Sequence, residues 1–99
     1  MYGCNLFAKN KLMADKLIGA ITDAFCVVKE TILVVEESND WLKRKDESIV
    51  IEYNGKLSEE DNEYPNYHYY QVWYDEKVEN VKTDKLSQLL GDGVIVDID

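Results

Sequence analysis

Few side chains in this sequence could act as nucleophile, base or metal ligand. There is one histidine, His68, and there are two cysteines, Cys4 and Cys26, against twenty Asp and Glu residues. A thiol beside an imidazole can be activated as a thiolate, so Cys4 or Cys26 with His68 is the pair with formal catalytic potential. Cys26, however, ends an apolar stretch of helical spacing, where a small buried hydrophobe is expected, and no sequence neighbour suggests an activated thiolate. His68 sits in a run of tyrosines and is expected to fill part of a sheet face. Zinc is poorly served by one His and two separated Cys without C-x-x-C spacing. Oxygen ligands could gather from Asp92, Asp97 and Asp99, or from Glu59, Glu60, Asp61 and Glu63. Neither group has the spacing of a calcium loop, and both are expected to be solvated. Walker A, G-x-G-x-x-G and G-x-S-x-G segments are absent from the sequence, which removes the footholds of nucleotide hydrolysis and serine-hydrolase chemistry. The expectation is a non-enzymatic protein with no metal and no cofactor.

The chain is dense in a different chemistry. Residues 64 to 75, YPNYHYYQVWYD, hold seven aromatic or imidazole side chains in twelve positions, with acids on either side. Glu59, Glu60, Asp61 and Glu63 precede them, and Asp75, Glu76 and Glu79 follow. The formal net charge is −9, and its halves differ: residues 1 to 45 carry +1 and residues 46 to 99 carry −10. Such a field repels nucleic-acid phosphates and anionic membranes and speeds encounter with basic surfaces. Direct nucleic-acid binding is therefore disfavoured. No apolar run approaches the roughly 20 residues that cross a bilayer, and the first residues lack the apolar core of a signal peptide. A cytoplasmic chain with reduced cysteines is the expectation.

The elements that must position these groups are legible in outline. Ninety-nine residues suit one domain, 1–99, with one core. From Asn10, a residue able to cap a first turn, apolar positions recur at helical spacing through Met13, Leu17, Ala20, Ile21, Ala24 and Val28. This predicts a long N-terminal helix, with Gly19 marking close approach to a strand. TILVVEE (31 to 37) predicts a strand buried on both faces. The polar stretch SNDWLKRKDE has room for a helical turn capped by Ser38 or Asn39. SIVIEY (48 to 53) alternates, with Ile49, Ile51 and Tyr53 on one face and Val50 and Glu52 on the other. Asn54-Gly55 is then the strongest short hairpin signal, and a meander is expected. KLSEEDNEYPN reads as an exposed loop, 67 to 74 as the aromatic strand, and Thr83 as the cap of a short helix closed by Gly91. GVIVDI (93 to 98) is a last strand. The order is (β)αβββαβ: an α+β fold with a mainly antiparallel sheet of four to five strands, one long N-terminal helix and one short C-terminal helix.

Alternation sorts the aromatic strand into Tyr67, Tyr69, Gln71 and Trp73 on one face and His68, Tyr70, Val72 and Tyr74 on the other. Ordinary cross-strand pairing would account for many of these rings. If helices cover one face only, the other presents tyrosines and a tryptophan, residues that anchor interfaces, within an acidic rim. The expected function is a small acidic inhibitor or immunity-type protein occupying a basic surface of a target protein. For a nuclease or other nucleic-acid enzyme the carboxylates would stand in for phosphates, as in anti-restriction and anti-CRISPR proteins. The expected contact residues are Glu59, Glu60, Asp61, Glu63, Tyr67, Tyr69, Trp73, Asp75 and Glu76. The alternative is a homodimeric accessory module that uses the aromatic strand face for self-association.

Overall fold

Alternation in the first residues makes β1 (Tyr2–Ala8), whose Cys4, Leu6 and Ala8 are buried while Gly3, Asn5 and Phe7 point to the other face. A computed structural model describes residues 2–36, 49–61, 63–74 and 83–98. After β1 come α1 (Ala14–Phe25), a single 3₁₀ turn (Lys29–Thr31), β2 (Ile32–Val35), β3 (Ile49–Lys56), β4 (His68–Tyr74), α2 (Thr83–Leu90) and β5 (Val94–Ile98). The five strands lie in the order β2-β3-β4-β1-β5. The element order follows the sequence reading, but the sheet is mixed: β3, β4, β1 and β5 pair antiparallel, whereas β2 runs parallel to β3. A meander is thus excluded at β2–β3. Thirteen positions separate Val35 from Ile49, enough for the crossover of a dozen or more residues that a parallel pair requires.

Topology decides which face carries helices. α1 takes the chain from β1 past β4 and β3 to β2, a parallel strand, and α2 takes it from β4 past β1 to β5, also parallel to its predecessor. The two crossovers run in opposite directions between strands of opposite orientation. With the right-handedness that governs such connections, both helices fall on the same side. The core confirms it: Leu17, Ala20, Ile21, Ala24 and Phe25 of α1 and Leu86 and Leu90 of α2 pack with Cys4, Leu6, Ala8, Ile49, Ile51, Tyr70, Val72 and Tyr74. Phe25 meets Tyr74 edge-on, ring centroids 5.4 Å apart. Burying a set of aliphatic side chains like these contributes roughly 1.5–3 kcal/mol each before entropy is charged against it.

Local expectations fail in informative ways. α1 is twelve residues long, begins after Met13 without a side-chain cap, and ends at Cys26 in the left-handed region (φ 54°). Asn10 therefore does not cap it, and Cys26 is exposed rather than buried. A residue that closes a helix in the left-handed conformation lies past the last turn, outside the buried stripe. Gly19 marks no close approach, because a Cβ there would meet nothing within 4 Å. Asn54-Gly55 does not turn the chain: β3 runs through it to Lys56, and the register with β4 shifts between Tyr53 and Lys56. Gly55 takes φ +86°, so the positive φ that suits a tight turn serves a bulge instead. β2 is half-buried at Ile32, Leu33 and Val34 and fully buried only at Val35; among the described residues no strand lies on its other flank. The expected turn at Ser38 or Asn39 lies outside the described residues. α2 begins at Thr83, and Gly91 follows it at φ +84° with its N–H bonded to the Ser87 carbonyl (3.2 Å).

Candidate functional site

The face opposite the helices carries Asn5 and Phe7 of β1, Tyr69, Gln71 and Trp73 of β4, and Val50, Glu52 and Asn54 of β3, as the register dictates. Phe7 and Tyr69 are direct cross-strand partners, with centroids 5.1 Å apart and planes within 6° of parallel. Tyr64, from the loop between β3 and β4, stacks on Phe7 at 4.2 Å, and Tyr67 tilts against Tyr64 at 5.7 Å. The Tyr69 hydroxyl donates to Asn5 Oδ1 at 2.9 Å. Offset stacking of this kind contributes about 0.5–1.5 kcal/mol per pair beyond area burial.

That stack fixes the acidic loop. Leu57 N–H donates to the Tyr67 carbonyl (2.8 Å), and Asn66 N–H to that of Ser58 (3.3 Å), so the loop closes on its own base. Asn66 makes the return at φ 65°, a conformation asparagine tolerates. Asp61 Oδ1 accepts from Glu63 N–H (3.0 Å) and Tyr64 N–H (2.8 Å), and Ser58 Oγ accepts from Glu60 N–H (3.1 Å). Asp61 is accordingly half-buried and structural. Glu59, Glu60 and Glu63 are exposed around it, on the same loop as Tyr64, which stacks on Phe7.

Of the expected contact residues, Glu59, Glu60, Asp61, Glu63, Tyr67 and Tyr69 lie in this one neighbourhood. Trp73 is on the same face but further along β4, opposite Gly3 and Val50. Its indole Nε1 is buried and has no hydrogen-bond partner, and its cross-strand partner Val50 is 0% exposed. Trp73 thus belongs to a covered apolar end of the face rather than to the ring stack. Its ring explains Gly3: a Cβ at that position would come within 3.2 Å of the indole and 3.1 Å of the Val72 carbonyl oxygen. Asp75 and Glu76 lie outside the described residues. Phe7, Asn5 and Tyr64 were not among the expected contacts. The alternation of β1, with Gly3 and Phe7 on the face away from Cys4 and Leu6, is the signal from which Phe7 could have been found.

His68 and Tyr70 are on the helix side. Tyr53 Oη and His68 Nδ1 are 2.8 Å apart, Lys11 Nζ lies 4.8 Å from the Tyr53 ring centre, and Lys11 reaches Glu36 at 3.6 Å. Burial, and then the charges of Lys56 and Lys11, hold the imidazole below its ordinary pKa. The Tyr70 hydroxyl accepts from Leu12 N–H at 2.9 Å, and burial raises its pKa against the opposing effect of that bond. Burial also raises Tyr74. Cys4 does not form a couple with His68: Cys4 stands opposite Val72 and His68 opposite Ala8, four residues further along, about 13 Å at the rise of a strand. Among the described residues no group of three or more His, Cys, Asp or Glu could hold a metal ion, and no helix is long and apolar enough to cross a membrane. In comparisons with known proteins the chain matches no family model, no curated protein and no solved structure.

Proposed function

We propose that this protein is a small acidic binding protein of the inhibitor or immunity type, acting without catalysis by occupying a basic surface of another protein in the cytoplasm. The observation that carries this reading is the adjacency of the Tyr69, Phe7 and Tyr64 rings to a loop whose Glu59, Glu60 and Glu63 side chains are exposed. Stacked rings offer contact area at low cost in rotamer freedom, and tyrosine adds a polar tip. Rim carboxylates raise the encounter rate and pair with Arg or Lys. The net charge of −9 extends that steering beyond the contact. A nucleic-acid enzyme is the target class that fits this surface, because its own site is built for phosphates, which carboxylates can imitate.

The test begins with affinity capture from the host lysate at low and high salt, followed by kinetics on the captured protein. Glu59→Gln, Glu60→Gln and Glu63→Gln together, with Asp61 left to hold the loop, should slow association about tenfold at low salt and flatten its salt dependence. Tyr69→Ala should speed dissociation about tenfold or more. Unaltered rate constants in both variants would refute the assignment of this face. A stable symmetric dimer in light scattering that Tyr69→Ala abolishes would favour self-association instead.

A further inference from the structure

β5 borders the sheet: it pairs with β1, and among the described residues no strand pairs with its other side. Lys9 N–H donates to the Gly93 carbonyl at 3.0 Å, next to the Ala8–Val94 pair. Directly opposed residues of an antiparallel ladder alternate between exchanging both hydrogen bonds and exchanging none. With Lys9 and Gly93 bonded, Ile95 opposite Phe7 and Asp97 opposite Asn5 turn their backbone groups toward β1, whereas Val94 and Val96 turn theirs outward. Outward donors and acceptors along an edge are a template for another extended chain.

The side chains qualify which chain that is. Ile95 is half-buried beside its cross-strand partner Phe7 on the helix-free face, so the apolar surface of the ring stack runs to the border of the sheet. Asp97 is exposed at one end of the strand and Asp92 at the other. Lys9 lies against Gly93, so the anionic character is stronger toward Asp97 than toward Asp92. Carboxylates at an edge oppose pairing with a second copy, since like charges would be brought together, and favour a cationic strand. The opposite border, β2, has only four residues, Ile32–Val35.

We propose, on the basic-partner reading above, that β5 is a strand-addition edge: an extended basic segment of the partner aligns beside Val94–Ile98 as a further strand. Its backbone meets the outward groups of Val94 and Val96, its alternate side chains lie over Ile95 toward Phe7, and its cations face Asp97.

The test uses the intact, isotope-labelled chain with a synthetic threonine-rich peptide in which valine and lysine stand two residues apart, so that both fall on the face of Ile95 and Asp97, and the same peptide with glutamate in place of lysine as control. Saturation with the lysine peptide should slow amide exchange at Val94 and Val96 roughly tenfold, the equivalent of one ordinary hydrogen bond each, with Ile95 and Asp97 little changed. Val96→Pro deletes an outward N–H where proline leaves the β1 ladder intact, and should abolish the added protection of Val94 in a chain that circular dichroism finds folded. Protection by neither peptide overturns strand addition. Protection or shifts confined to Tyr64, Phe7 and Tyr69, with β5 unaltered, overturn strand addition and leave the basic-partner reading standing. Equal protection by both peptides overturns the basic-partner reading and leaves the edge.

Discussion

Replacing Phe7 by alanine tests whether the ring stack holds the acidic loop in place. Phe7 stacks on Tyr64 at 4.2 Å and on Tyr69 at 5.1 Å, and is half-buried. A fully buried Phe→Ala change costs about 3–5 kcal/mol, so a half-buried ring with two stacked partners should cost about 2–3 kcal/mol. In a domain of this size that lowers Tm by about 10–20 °C. Urea unfolding followed by circular dichroism gives the free energy. A double-mutant cycle with Tyr64→Ala should return a coupling of about 0.5–1.5 kcal/mol. Amide exchange at Glu63 and Tyr64, whose N–H groups bond to Asp61, should quicken more than exchange in β4, because the loop opens locally once its ring has nothing to rest on. A loss below about 0.5 kcal/mol, within the range of an ordinary surface change, or exchange at Tyr64 that does not respond, would refute the claim that stacking on β1 positions the carboxylates.

Gly19→Ala should stabilise the protein by about 0.5–1 kcal/mol, raising Tm by a few degrees, since the helix gains a better former and the new methyl group meets nothing within 4 Å; an unchanged Tm would contradict an open helix surface there. Gly3→Ala should do the opposite and cost about 1–3 kcal/mol, because its methyl group would press on the Val72 carbonyl and the Trp73 ring. Acid titration should weaken the fold as pH falls below 6.5, the ordinary histidine value. His68 is held below that value when folded, so the unfolded chain binds the proton first and stability rises with pH through this window; His68→Phe should flatten the slope in urea midpoints taken across it. At the alkaline end, Tyr70 and Tyr74 are raised above 10.0 when folded. There the unfolded chain loses protons first, and stability should fall as pH climbs past 10, an effect that Tyr74→Phe should reduce.

Much of this molecule could be read from spacing alone. The helical recurrence of Leu17, Ile21 and Ala24, the alternation of Ile49, Ile51 and Tyr53, and the division of residues 68 to 74 into two faces all appear as expected, because burial of one face imposes its period on the residues themselves. The crowding of carboxylates at 59 to 63 beside the tyrosines was likewise plain in the order of residues. Local signals for ends and turns were weaker guides. Asn54-Gly55 has the chemistry of a hairpin turn and Asn10 that of a cap, yet β3 continues and α1 starts three residues later, since pairing with β4 and packing on the sheet outweigh the preference of a single turn. Only tertiary structure decided that β2 runs parallel to β3, that both crossovers set their helices on one face, and that Phe7, fifty-seven positions before Tyr64 in the chain, lies beneath its ring. Those outcomes depend on contacts between residues far apart in sequence, whose register no local pattern encodes. They decide whether the rings and the carboxylates share a surface.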